Sequence, residues 1–271
     1  MLPGPMPEPQ ILVEGLEKRF GDTVVLSGVD MRIERSEVAV IIGGSGAGKT
    51  TLLRVLIGLE RPSGGRVVVG GVDIAGLSER KLNAARRKFG MVFQYSALLD
   101  SMNVFDNVAF PLREHTKLKE REIRDKVLDK LQVLGLEGTG QRFPSQMSGG
   151  MRKRVGLARA LMLEPEVLMY DEPTSGLDPL TSRKVDDLIL ETRERFGVTS
   201  VVISHDMAGA LQIADRIFVL AKGRVAASGT PRELAEGQNA IVREFIGASG
   251  IATEELLAEH DRRAAGLNNR S

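Results

Sequence analysis

GGSGAGKTT, at residues 43–51, is a glycine-rich stretch set between two apolar runs of different character. The run before it, VAVII at residues 38–42, is short and rich in β-branched residues, as a buried strand is. The run that starts at its last residue, 51–58, has the length of a helix and ends at a glycine. The stretch therefore matches the pattern G-x-x-x-x-G-K-[ST] of a phosphate-binding loop in its required strand–loop–helix context.

The phosphate loop predicts a nucleoside triphosphate as ligand. Its glycines let backbone N–H groups curl round a phosphate, and the following helix adds the positive end of its dipole. Lys49 is expected to reach the β- and γ-phosphates, and the Thr50 hydroxyl to hold Mg²⁺. A glycine-rich turn that matches by chance is the alternative, and the flanking runs count against it. The predicted nucleotide contacts are Gly43, Gly44, Ser45, Gly46, Ala47, Gly48, Lys49, Thr50 and Thr51.

Composition excludes several classes of protein. The 37 Lys and Arg nearly cancel the 36 Asp and Glu, so bulk charge gives no indication of nucleic-acid binding. The chain has no cysteine, which excludes disulfides, thiolate metal sites and cysteine nucleophiles. No apolar stretch approaches the roughly 18 residues of a membrane-spanning helix. The start, MLPGPMPEPQ, lacks the basic and apolar regions of a signal peptide. We expect a protein that is soluble, or peripheral through a partner.

Strand and helix patterns alternate along much of the chain and predict an α/β fold with a largely parallel sheet. Residues 11–33 and 65–74 instead carry apolar segments separated by turn signals such as Ser27-Gly28, and they predict antiparallel strands. Residues 103–163 have helical periodicity with almost no strand signal. They predict a helical subdomain inserted into the α/β domain.

Two adjacent acids follow the strand pattern of residues 167–170. A Mg²⁺–nucleotide site needs a carboxylate at the end of a strand beside the phosphate loop, and Asp171 is so placed. Hydrolysis also needs a group that orients and deprotonates a water near the γ-phosphate, and Glu172 is the next residue. Two acids after a strand are often only a polar strand end, but the phosphate loop upstream favours the chemical interpretation.

Ser148-Gly149-Gly150 precedes a basic helical stretch at residues 151–163. The free N–H groups and the dipole at such a helix start form a second anion site, with the serine hydroxyl as a further donor. Simple capping of the helix explains Ser148 as well. Two helix starts that attract phosphate in one chain suggest that one nucleotide is held between two copies of the protein.

The ordered set of motifs, over about residues 10–235, resembles the ATPase subunits of ABC transporters. GGSGAGKT is similar to the Walker A motif, VLMYDE at 167–172 to Walker B, and MSGGM at 147–151 to the LSGGQ signature. The remaining matches are Phe20 for the aromatic that stacks on adenine, Gln94 for the Q-loop, Ser175-Gly176-Leu177-Asp178 for the D-loop and His205 for the switch histidine. By pattern alone, a strand aromatic is more often core and a lone histidine more often structural. The resemblance reverses both expectations.

The resemblance implies a fold and a set of roles. The fold is a RecA-like P-loop NTPase core with an antiparallel β subdomain and an inserted α-helical subdomain. The cofactors are ATP and Mg²⁺, and two copies close as a homodimer on two ATP molecules. Glu172 would activate water and His205 would steady the γ-phosphate. The implied metal ligands are Thr50, Gln94 and Asp171, and the implied nucleotide contacts outside the phosphate loop are Phe20, Gln94, Ser148, Gly149, Gly150 and Asp178.

The segment LLDSMNVFDNVAFPLREHT, at residues 98–116, carries a closer resemblance. Together with SGGM and the basic helix after it, the segment is similar to the ATPases of the Mla/Mce-type phospholipid transporters (MlaF-like proteins) of double-membraned bacteria. This implies a membrane permease docked at the segment, a periplasmic MCE-domain lipid-binding protein, and a peripheral location on the cytoplasmic face of the bacterial inner membrane. The apolar positions of the segment are also in part helical-subdomain core.

The signature departs from the family pattern at both ends. Met147 stands where leucine is usual and Met151 where glutamine is usual. The Ser-Gly-Gly core between them is intact, so we expect activity to survive.

Three rival functions are weighed against phospholipid transport. A cassette for another cargo, such as lipoproteins or amino acids, would share every catalytic motif, and only residues 98–116 and Met151 argue against it. A non-transport ATPase that acts as a mechanical clamp carries a long coiled-coil insertion or two tandem cassettes, and this chain has neither. A nucleotide-sensing regulator that barely hydrolyses ATP would not need Glu172 and His205.

We expect three parts along the chain: a flexible N-terminal tail at residues 1–9, an ABC ATPase domain at 10–236 with the helical subdomain at about 95–165, and a C-terminal extension at 237–271. The extension is polar and weakly amphipathic, with candidate helices at 240–246 and 253–265. It could brace the dimer, dock a small regulatory subunit or be disordered.

Overall fold

A computed structural model describes residues 8–94, 96–249, 254–255, 257–258 and 260–262. Most of the tail predicted at residues 1–9 and much of the helix predicted at 253–265 therefore lie outside the described residues. The described residues within 253–265 are helical.

The described residues form ten strands and nine α-helices. The strands are β1 (Ile11–Phe20), β2 (Thr23–Ile33), β3 (Val38–Ile42), β4 (Gly64–Val69), β5 (Val72–Asp73), β6 (Phe89–Phe93), β7 (Val167–Asp171), β8 (Thr199–Ser204), β9 (Arg216–Ala221) and β10 (Arg224–Gly229). The helices are α1 (Lys49–Leu56), α2 (Glu79–Arg86), α3 (Val104–His115), α4 (Glu120–Val133), α5 (Gly149–Leu161), α6 (Pro179–Phe196), α7 (Met207–Ile213), α8 (Pro231–Glu236) and α9 (Ala240–Ser249).

The central sheet has six strands in the order β10-β9-β3-β8-β7-β6. Every neighbouring pair is parallel except β9 and β10. The register pairs Ile42 with Ser204, and Asp171 with both Phe93 and Ile203. The carboxyl ends of β3, β6, β7 and β8 therefore meet at one edge, where an open α/β sheet binds its ligand.

The second sheet is antiparallel, with the strand order β2-β1-β4-β5. This confirms the antiparallel strands predicted at residues 11–33 and 65–74. The turn expected at Ser27-Gly28 is wrong, because β2 runs through both residues. Leu16 pairs with Val29 and Glu17 with Ser27, so Gly28 is the extra residue of a β-bulge and takes a left-handed φ of 70°. A glycine serves a turn and a bulge equally well.

Two hydrophobic cores cover the two faces of the central sheet. Val38, Val40 and Ile42 of β3 face a core shared with α3 to α7, and the alternate residues Ala39 and Ile41 face a core shared with α1 and the antiparallel sheet. Burial on both sides explains why the strand is a continuous apolar run and not an alternating one. The α/β class with an antiparallel sheet and a helical insertion is confirmed.

Helices α3, α4 and α5 and a short 3₁₀ turn at Pro144–Gln146 connect β6 to β7, and the described residues between these two strands contain no strand. The apolar stripe of α4 is buried at Ile123, Val127 and Leu131, in line with the helical periodicity of residues 103–163. Asn107 of α3 is fully buried and fixes the turn before the helix, because its side chain accepts from the Leu99 N–H and donates to the Leu99, Met102 and Asn103 carbonyls.

Helix α9 packs on the core that contains α7. Val242 and Ile246 are buried there, and the helix runs to residue 249, three residues beyond the predicted 240–246. In the part of the chain that the structure describes, no helix combines the length and the apolar character that crossing a bilayer requires.

Candidate functional site

The loop between β3 and α1 has a backbone that only small residues allow. A Cβ on Gly43 would lie 2.5 Å from the Leu220 carbonyl oxygen, and Gly48 takes a left-handed φ of 104° just before the helix. Gly44, Ser45 and Gly46 are exposed at the tip. The loop thus presents its backbone to solvent at the start of a helix, the arrangement that binds phosphate.

Lys49 links this loop to the acids of β7. Its ammonium donates to the Gly43 carbonyl at 2.6 Å and lies 3.8 Å from Oε1 of Glu172. The Lys49 side chain is only 12% exposed, so its charge is partly desolvated and interacts more strongly with nearby charges than it would in water. Thr50 and Thr51 follow in the first turn of α1, and Thr50 is exposed.

Asp171 and Glu172 lie at the end of β7 in different environments. Burial, and then the charge of Glu172, raise the pKa of the Asp171 carboxyl, while Lys49 and Arg54 lower it by less. Glu172 has a left-handed φ of 49°, and its N–H donates to the Ile203 carbonyl at 2.9 Å. A left-handed conformation is strained for glutamate, and such strain is often found at functional sites.

Glu172 pairs with His205, which follows β8. Its Oε2 lies 2.7 Å from the imidazole Nδ1, and the imidazole itself is 61% exposed. A carboxylate and an imidazole in contact can orient a water and take its proton. The structure thus brings Lys49, Glu172 and His205 together, although they come from three separate elements.

Gln94 directly follows β6, and Phe93 pairs with Asp171. The glutamine therefore lies at the same edge of the sheet as the acids. An amide oxygen, a carboxylate and a threonine hydroxyl are oxygen donors of the kind that Mg²⁺ prefers. Among the described residues no three His, Cys, Asp or Glu cluster as a ready-made metal cage.

The predicted second anion site lies at the start of α5, on the side that faces away from the core. Ser148 caps the helix, since its Oγ accepts from the Met151 N–H at 3.3 Å, and Ser148, Gly149 and Gly150 are all exposed. Met147 is 5% exposed and belongs to the core, which explains why an apolar residue stands there. Within the described residues, no hydrogen bond or ion pair joins Ser148, Gly149 or Gly150 to residues 43–51.

Phe20 and Asp178 have clear local roles. The Phe20 ring is 47% exposed at the end of β1, with the Lys18 ammonium 4.6 Å from its centroid, so the ring is not a core residue. Asp178 caps α6 by accepting from the N–H groups of Leu180 and Thr181. Hydrogen bonds from Thr181 lower the pKa of the Asp178 carboxyl.

A cavity beside the site lies next to His205 and is not lined by the phosphate loop. Its volume is about 610 Å³, and it is lined by the D-loop segment 174–177, by α7 and by Phe245 of α9. The phosphate loop itself is an open surface. A ligand on that surface would stay accessible until another molecule covers it.

Two cations of α5 contact the loops that follow β6 and β7. Lys153 donates to the carbonyl of Pro173, which follows Glu172, and Arg159 donates to the carbonyls of Ser96 and Ala97, which lie just beyond Gln94. The sequence offers only a weak signal for them, a basic helix whose polar positions also fit a solvated face.

Comparison with known proteins agrees with this geometry. The family model described as ABC transporter matches residues 26–175. The chain is 41% identical over 251 residues to the probable ribonucleotide transport ATP-binding protein mkl of Mycobacterium leprae, covering 93% of this chain and 72% of that protein. It is 41% identical to the intermembrane phospholipid transport system ATP-binding protein MlaF of Haemophilus influenzae, covering 87% and 89%. It is also 40% identical to the Fe(3+) ions import ATP-binding protein FbpC of Agrobacterium fabrum, covering 92% and 69%.

Solved structures agree on the fold. CbiO1 from Clostridium perfringens, part of the ABC transporter complex cbiONQ, matches with a TM-score of 0.80 at 33% identity, covering 89% of this chain and 96% of that one. The ATP-binding cassette MJ0796, in a dimeric post-hydrolysis state bound to ADP and Pi, matches with a TM-score of 0.71 at 31% identity, covering 82% and 99%.

Gly43→Ala should destabilise the protein even without nucleotide. The added methyl would meet the Leu220 carbonyl at 2.5 Å, and such overpacking costs about 1–3 kcal/mol. Gly44→Ala is the matched control, because a Cβ there meets nothing within 4 Å. Urea unfolding of both variants gives the comparison, and equal midpoints would contradict the packing argument.

Asp171→Asn should stabilise the nucleotide-free protein at neutral pH. The pKa of Asp171 is raised on folding, so the stability that the residue contributes is present at low pH and is lost as pH rises through its folded pKa. Asparagine cannot ionise, so the variant does not lose this stability as the pH rises. We expect a melting temperature a few degrees above wild type at pH 7, and a gap that narrows as the pH falls toward about 4. A lower melting temperature at pH 7 would contradict this account.

Proposed function

The chain belongs to the ABC transporter family of ATP-binding proteins, and we propose that its ATPase powers phospholipid transport through a partner permease. Members of this family couple ATP hydrolysis to transport. The observation that carries the proposed hydrolytic role of this site is the contact of Glu172 with both His205 and Lys49. The similarity to MlaF carries the proposed cargo.

The proposed hydrolysis uses the residues gathered at the sheet edge. Lys49 and the backbone of residues 43–51 hold the phosphates, and Phe20 stacks on the adenine. Glu172 takes a proton from the attacking water, while His205 steadies the γ-phosphate and keeps the carboxylate oriented. The 2.7 Å contact between Glu172 and His205 supports this division of roles.

Mg²⁺ is proposed as the metal of the nucleotide complex. Thr50, Gln94 and Asp171 would hold it, and the ion would neutralise charge that develops on the phosphates. The oxygen character of all three side chains supports the assignment.

A homodimer is proposed as the active form. Ser148, Gly149 and Gly150 would contact the nucleotide bound by the other copy, and Asp178 would lie close to the same contact. Two observations support this. The phosphate loop is open to solvent, and the exposed start of α5 shares no hydrogen bond with it in the described part of one chain. The related cassette MJ0796 is dimeric in its solved structure. Opening after hydrolysis would then drive the permease.

The proposed cargo is inferred from one of several classes of relative, which are named for different cargoes. Relatives of similar identity are named for ribonucleotide transport, for Fe(3+) import and for intermembrane phospholipid transport. The MlaF match and the segment at residues 98–116 favour phospholipid. We therefore propose integral-membrane permease subunits and an MCE-domain lipid-binding protein as partners, with the chain on the cytoplasmic face of a bacterial inner membrane. A small regulatory subunit on residues 237–271 is part of the same proposal. A cassette for iron or another solute is the second candidate, supported by FbpC.

Glu172→Gln should keep ATP binding and lose turnover. The amide cannot accept the proton of the attacking water, and loss of a general base lowers the rate about 10²–10⁴-fold. Steady-state phosphate release and equilibrium binding of ATP separate the two effects. Glu14→Gln is the matched control, because Glu14 is exposed on the antiparallel sheet. Turnover near the wild-type rate would remove Glu172 as the base.

The cargo is tested by capturing the closed complex. Tagged Glu172→Gln protein is loaded with ATP and Mg²⁺ and isolated from native membranes in mild detergent, and mass spectrometry identifies proteins and lipids. We expect a polytopic permease, an MCE-domain protein and enriched phospholipid. A permease with a solute-binding protein would keep the transport ATPase and discard phospholipid. Absence of any membrane partner would count against transport as a whole.

A further inference from the structure

Helix α5 is tied by two partly buried cations to the two loops that carry the proposed catalytic and metal residues. Near its start, the Lys153 ammonium donates to the Pro173 carbonyl. Near its end, Arg159 donates to the Ala97 carbonyl at 2.7 Å and to the Ser96 carbonyl at 2.8 Å. Pro173 directly follows Glu172, and Ser96 lies two positions after Gln94.

The two loops have strained backbones where α5 holds them. Ser96 and Ala97 take left-handed φ angles of 61° and 43°, and Glu172 takes 49°. Such conformations are unfavourable for residues other than glycine and persist only where the surroundings enforce them. Lys153 and Arg159 donate to carbonyls at or next to these positions, so α5 supplies part of that enforcement.

Folding stability alone does not explain why Lys153 and Arg159 stand at these positions. Lys153 and Arg159 are partly buried, and burial lowers the pKa of each. No carboxylate among the described residues forms an ion pair with either one. Lys153 lines a small, mainly apolar gap together with Leu157, Tyr170 and Ile189. A methionine would fill that gap without the cost of desolvating a charge. The Lys153 ammonium is therefore explained by its hydrogen bond to the Pro173 carbonyl.

We propose that Lys153, together with Arg159, is a positioning residue through which α5 couples the two nucleotide sites of the dimer. The inference rests on the proposed homodimer. The exposed start of α5, at Ser148 to Gly150, would contact the partner's nucleotide, and the same helix holds the loops that contact the chain's own nucleotide. A helix is stiff along its axis. Movement of its start would therefore shift the Pro173 carbonyl and the Ser96–Ala97 turn, and with them Glu172 and Gln94.

Lys153→Met tests the link, because it keeps an unbranched stem of similar length and removes only the donor. Phosphate release is measured against ATP concentration. We expect kcat to fall about tenfold or more, as misplacement of a catalytic group does. The ATP concentration at half-saturation should stay within about twofold of wild type, since residues 43–51 are untouched. The Hill coefficient should fall from about 2, the limit for two coupled sites, toward 1.

Three further variants separate positioning from packing. Lys153→Arg keeps a cationic donor and should restore most of kcat and of the Hill coefficient. Lys126→Met removes an exposed lysine of α4, whose partner Glu164 is also exposed, and should match wild type. Arg159→Lys retains the charge but replaces a fork that holds two carbonyls, so it should lower the Hill coefficient in the same direction.

The outcomes distinguish this inference from the proposed function. A wild-type Hill coefficient and kcat in Lys153→Met would overturn the link and leave the ATPase intact. Equal losses in Lys153→Met and Lys153→Arg would assign the residue to packing and also overturn it. Wild-type protein that hydrolyses ATP without cooperativity, with Glu172→Gln that does not dimerise on ATP, would overturn the homodimer and the link together.

Discussion

Burial of both faces of β3 is the constraint on which the rest of the structure depends. Its five side chains alternate between two cores, so each covering layer protects apolar surface that the strand cannot hide alone. The strand also has to end against β9, because the Leu220 carbonyl occupies the space that a side chain at Gly43 would need. Packing of the strand therefore fixes the position of the phosphate loop. The backbone of the loop is already arranged for phosphate before a ligand binds.

Charged side chains cluster at the same edge of the sheet, where they lower the stability of the folded protein. Asp171 is partly buried next to Glu172, and the opposing effect of Lys49 does not offset the combined rise in its pKa. Glu172 adds a strained backbone, held by the Ile203 carbonyl and by the loop that Lys153 contacts. These features are unfavourable for folding alone and suit a polyphosphate with its metal ion. This is the usual exchange of stability for activity at a functional site.

Local patterns predicted most of the elements, and long-range partners were the part that sequence could not supply. The strand at Val38–Ile42 has the bounds expected for it, because a short apolar run that ends at a glycine is a local property. The signal at Ser27-Gly28 failed, because only the pairing with β1 distinguishes a bulge from a turn. Lys153 and Arg159 reach carbonyls 20 and 62–63 residues away. Helical periodicity shows which positions are polar, but it does not show which carbonyl a lysine will meet.

The chemistry and the cargo rest on different kinds of residue. Relatives with different named cargoes share the ATP-binding cassette, so the site at the sheet edge carries no information about cargo. If a permease docks on residues 98–116, as the resemblance implies, information about that permease lies on the surface of this segment. Within residues 98–116, Asn107 is fully buried and bonded to its own turn, so the resemblance at that position reflects folding. Leu99 and Phe110 are about 40% exposed on the same segment and contribute little to the core. These two side chains are therefore better placed than Asn107 to distinguish one permease from another.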